Sequence, residues 1–65
     1  MRVTYLRLNA YTLYACLKDA QCDLHVMVPE MGAKALLATA QELRDHAQAD
    51  LKRAACIEQG ALSLT

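Results

Sequence analysis

The chain has 65 residues, with seven Lys and Arg balanced by seven Asp and Glu, so it carries no formal net charge at pH 7. That balance excludes a global field that would draw in nucleic acid or an anionic membrane. A single domain of this size buries little apolar surface, and is usually completed by a disulfide, a metal or a partner subunit.

Aromatic residues make up 5% of the chain, without Trp or Phe. Ala and Leu dominate, which favours close helix packing over a sandwich of bulky β-branched side chains. Three cysteines are an odd number with no secreted-framework spacing, and they read as reduced thiols of a cytoplasmic protein. No basic region leads into an apolar core with a cleavage site. The longest nearly uncharged run, Leu8 to Leu17, is shorter than the roughly 20 residues that span a bilayer. No membrane association is expected.

In chain order, residues 1–28 place apolar side chains at alternating three- and four-residue steps: Val3, Leu6, Ala10, Leu13, Leu17, Ala20, Leu24 and Met27. This seam predicts a helix over about 3–28. A second reading takes Val3–Leu6 and Leu24–Val28, which are richer in β-branched residues, as strands flanking one helix. That would make a small α+β fold with a β-α-β N-terminal half, slightly under the usual size of such a unit. The unbroken heptad favours the helix.

Pro29-Glu30-Met31-Gly32 then reads as the turn. Pro29 biases Val28 out of the helical region and suits the start of a following helix, while Gly32 is a poor helix interior residue. A second helix is predicted over about 33–59. Its seam is Ala33, Leu36, Ala40, Leu43, Ala47, Asp50, Ala54, Ile57, Ala61 and Leu64. Gly60 is a natural stop, leaving 61–65 as a loose C-terminal tail of a single domain spanning 1–65.

The expected fold class is therefore all-α, an antiparallel helical hairpin. Each helix would be about 40 Å long, with more apolar surface than its partner can cover. Tyr5, Leu8, Tyr11, Ala15 and Val26 stand off the first seam. The inference is self-association, as a homodimeric four-helix bundle or a higher oligomer.

The size, the Ala and Leu heptads and the segment Leu43-Arg44-Asp45-His46-Ala47 resemble the Rop (Rom) family of small helical hairpins. Members dimerise into four-helix bundles and help plasmid antisense RNAs pair. The resemblance implies a bundle and an RNA-binding regulator. Leu8, Thr12, Cys16 and Asp23 stand where that family carries basic, amide and aromatic side chains.

Few residues suggest chemistry. Asp50 is the polar break in the second seam, read as a buried register-setting residue answered by Arg7, Arg53 or the Tyr14 hydroxyl. Cys16 and His46 fall at facing positions of the hairpin, but no Gly-rich oxyanion loop accompanies them, and no catalytic residue is assigned. Cys22 and His25 share a helical face, yet a zinc site needs more ligands, with Cys56 expected at the far end. No metal and no cofactor are expected.

The favoured function is a non-enzymatic small regulator or inhibitor that binds another macromolecule, most readily a protein. Its partner-facing residues would be Tyr5, Leu8, Tyr11, Thr12 and Ala15. The alternatives are a Rop-like RNA binder and a small-ligand binder at the subunit interface.

Overall fold

The computed structural model, described for residues 1–46 and 48–65, overturns the helical hairpin as the whole fold. The N-terminal half is a sheet. Three strands, β1 (Arg2–Asn9), β2 (Thr12–Lys18) and β3 (Asp23–Val28), precede two helices, α1 (Ala33–Asp45) and α2 (Leu51–Ser63). The class is small α+β, and there is no four-helix bundle. The strand reading weighed from sequence placed strands inside β1 and β3, but put a helix where the structure has β2.

All pairing is antiparallel in the order β1-β2-β3, so each strand pairs with its neighbour in sequence. Val3 faces Leu17 and Tyr5 faces Ala15 across the first pair; Leu17 faces Leu24 and Ala15 faces Val26 across the second. Alternation with period two sends Leu13, Ala15, Leu17, Val26 and Val28 to the inner face, where all are buried.

Two side chains make the turns. Asn9 Oδ1 accepts a hydrogen bond from the Tyr11 backbone N–H at 2.8 Å, and Asp19 Oδ1 accepts one from the Gln21 N–H at 2.8 Å. Each Asn or Asp thereby replaces a missing backbone partner and reverses the chain. The first reversal carries an irregularity in the ladder between Arg7 and Asn9.

The turn at Pro29–Gly32 is where the sequence placed it, and α1 begins at Ala33. Gly32 has φ +117°, a conformation that other residues rarely adopt. Its N–H donates to the Tyr5 hydroxyl at 3.0 Å, so a side chain from β1 reaches the start of α1.

The expected helix over 33–59 is two helices, broken between Asp45 and Leu51. The helices form a hairpin on the inner face of the sheet. Ala40, Ala54 and Ala61 of the alanine heptad are buried there with Leu36 and Ile57, while Ala47 lies outside the described residues. Small side chains let the helices approach each other and the sheet. Full burial of Leu17, Leu36 and Ile57 contributes about 2 kcal/mol each.

Gly60 does not stop α2. It is buried, and a Cβ at this position would run into Leu17 Cδ2, so the absent side chain sets how closely α2 lies on β2. The helix continues to Ser63 with Ala61 buried, and the expected loose tail at 61–65 is in its first part a last helical turn.

The cysteines also differ from expectation. Cys22, just before β3, is bonded to Cys56 in α2, with Cα atoms 6.2 Å apart and a sequence separation of 34. The expected hairpin would hold Cys22 and Cys56 at opposite ends, and all three cysteines as thiols. Cross-linking a loop of this length stabilises a fold by about 3–4 kcal/mol, a large share for so small a core. No described helix is long and apolar enough to cross a membrane.

Candidate functional site

The helices cover one face of the sheet, and the other face is bare. Strand register arranges this outer face in rows. Arg2, Lys18 and Asp23 form the first, Thr4, Cys16 and His25 the second, and Leu6, Tyr14 and Met27 the third. Thr12 continues the face toward the β1–β2 turn, where Leu8, the unpaired residue of the ladder irregularity, is exposed and Tyr11 stands almost wholly exposed. Leu6 and Met27 are 53% and 58% exposed and Leu8 59%, which is high for large apolar side chains set side by side on rigid strands.

The face is therefore graded. Its apolar end carries Leu6, Leu8, Tyr14 and Met27, and its polar end carries two cations and one carboxylate. A shallow depression of about 210 Å³ lies at the polar end, beside Thr4, Cys16 and His25. Cys16 is the free cysteine and is half-buried. It sits opposite His25 across the β2–β3 pair, a neighbour the helical reading did not give it. His46 instead caps α1 at its C-terminal end, on the helical side of the sheet. Among the described residues neither Cys16 nor His25 takes part in a side-chain hydrogen bond, and no buried side-chain polar atom lacks a partner.

The residues nominated from sequence are dispersed. Leu8, Tyr11 and Thr12 lie together at the apolar end of the outer face. Tyr5 points inward to Gly32, and Ala15 is fully buried beneath the helices, so neither belongs to an exposed surface. Leu6, Tyr14 and Met27 were missed as a group. The signal for them was alternation: on strands, residues 6, 14 and 27 share a face by register, whereas on a helix Leu6 and Met27 share the seam and Tyr14 falls off it.

Asp50 is not a buried register residue. It is the N-cap of α2, accepting from the Arg53 N–H at 3.1 Å, and it pairs with Arg53 Nε at 3.6 Å on the surface. Arg7 takes no part in this. It is exposed at the end of β1 and donates to the Asn9 carbonyl at 3.5 Å.

The stronger ion pair is Arg44 with Glu58, which joins α1 to α2 by two hydrogen bonds. The guanidinium's hydrogen bonds hold the Glu58 carboxyl below the usual carboxylate range, and the carboxylate in turn raises Arg44. The side-chain pairing of Cys22 with Cys56 removes Cys22 from any metal site. Among the described residues no three His, Cys, Asp or Glu side chains converge to hold a metal.

No family model, no curated protein and no solved structure matches this chain. The hairpin of two long helices that carried the Rop resemblance is replaced in its first half by the sheet.

Proposed function

We propose that the chain is a non-enzymatic interaction module, a small regulator or inhibitor that acts by protein–protein contact through the outer face of its sheet. One observation carries this reading: Leu6, Tyr14 and Met27 form a continuous row on strands, with Leu8 beside it, and among the described residues no element covers them. Tyr and Met are enriched where proteins meet, and a surface on strands is presented without the entropy cost of ordering a loop.

The test replaces Met27 with a photoreactive benzophenone amino acid in cells that make the protein, with Leu37 on α1 as the control position. Irradiation is expected to give a protein adduct from position 27 that Leu6→Glu suppresses, and none from position 37. An adduct with RNA alone would move the function to the RNA-binding class. Absence of any adduct, or equal adducts from both positions, would overturn the outer face as the working surface.

A further inference from the structure

We infer that the protein partner of the outer sheet face is a second copy of this chain, packed face to face about a two-fold axis that passes beside Tyr14. The inference rests on the interaction-module reading and names its occupant.

The grading of the face supports it. An isologous interface must be complementary to itself, because each residue meets the same patch on the other copy. With the axis along the row of Leu6, Tyr14 and Met27, that row lies on its own symmetry mate. Thr12 of one copy then covers the region of Cys16 in the other. Arg2 and Lys18 are carried outward in opposite directions, so the like charges stay in water and far apart. A partner covering the whole face would instead have to bury or answer both cations.

Area supports it too. The chain exposes 4619 Å², about 500 Å² more than a folded monomer of 7.2 kDa ordinarily does. That excess, doubled for a pair, is roughly 1,000 Å², where specific interfaces begin, and Leu6, Leu8 and Met27, each more than half exposed, are where this face can supply it. Stacking two sheets about 10 Å apart would place a second apolar layer against strands that now have one. The exposed apolar residues of the helical half offer no comparable row: Met31 precedes α1, Leu37 is on it, and Leu51 lies at the start of α2 with Leu62 and Leu64 at its end.

The test is sedimentation of the purified, disulfide-bonded chain over a dilution series. The expected result is a species of twice the chain mass that dissociates on dilution and is not weakened by raising the salt. The Leu6→Glu, Met27→Glu pair of substitutions should weaken association at least 100-fold with an unchanged circular dichroism spectrum, and Leu37→Glu should leave it as it is. A second measurement needs no variant. On dilution, the amide resonances of Leu6, Tyr14 and Met27 should shift while those of Leu37 and Leu62 stay in place.

A wild-type chain that is monomeric at millimolar concentration would overturn the dimer, as would a dimer indifferent to the paired glutamates. If that monomer still gives a heterologous adduct from position 27 in cells, the dimer fails and the interaction module stands.

Discussion

The two faces of the same three strands have different fates. On the inner face, Leu13, Ala15 and Leu17 of β2 are 2%, 0% and 1% exposed, sealed by α1 and α2. One residue over, on the outer face, Tyr14 and Cys16 are only half-buried, and Leu6 and Met27 beside them are more than half exposed. The side chains are not very different in polarity. What differs is cover: the chain after Pro29 supplies one helical layer, enough for one face. Hydrophobicity alone does not mark this core, because apolar residues serve stability on one face and remain available for contact on the other.

The inner face loses its seal most fully when the layer over it is loosened. Cys22→Ser with Cys56→Ser removes the tie between the start of β3 and α2. Urea titration is expected to show a loss of about 3–4 kcal/mol, enough to leave much of the chain unfolded at 37 °C. A loss below about 1 kcal/mol would mean that packing alone holds α2.

The next contrast sets one face against the other. Leu17→Ala should cost about 3 kcal/mol, because the cavity it leaves lies between the sheet and Gly60 of α2. Met27→Ala, on the outer face, should stay within about 0.5 kcal/mol for the dissociated monomer. Equal losses in thermal or urea unfolding would show that the two faces are not distinct.

The smallest effect belongs to the helical layer itself. Glu58 titrates below its unfolded value because Arg44 favours its charged form. Its contribution is therefore fully present above the unfolded Glu pKa of about 4.3, and is lost as pH falls through the lower folded value. The difference in urea midpoint between wild type and Glu58→Gln should be steady above pH 5 and shrink as pH falls below 4. A difference that grows toward acid pH would contradict the pairing.

Part of this fold was legible in the sequence. Pro29 and Gly32 mark the boundary between halves, α1 starts where they place it, and Ala40, Ala54 and Ala61 of the alanine heptad do face a packed interior. The N-terminal half misled for a specific reason. Its apparent heptad, from Val3 to Met27, collects Val3, Leu13, Leu17 and Leu24 from the inner face and Leu6 and Met27 from the outer. Ala10 and Ala20 come from the two turns. A sheet with apolar residues on both faces offers matches to almost any short period.

Asn9 and Asp19, ten residues apart and each able to close a turn with its side chain, were the local signal for a meander. The long helix over 33–59 hid its break in a similar way, since Asp50 looked like a polar seam residue and is a cap. Nothing local could pair Cys22 with Cys56, because their contact depends on the whole helical layer folding back under the sheet. The candidate site shared that fate: Leu8, Tyr11 and Thr12 were found, but their neighbours Leu6, Tyr14 and Met27 become neighbours only through strand register.

The sheet order β1-β2-β3 is also the order in which the chain leaves the ribosome. Each strand finds its partner in the segment just before it, so the meander can assemble from short-range contacts before the helices dock. The helices must then reach back, first through the Gly32 N–H to the Tyr5 hydroxyl and finally through Cys56 to Cys22. Until they do, both faces of the meander are open to water and to other chains. The interval between forming the meander and docking α2 is when a copy most needs protection from aggregation.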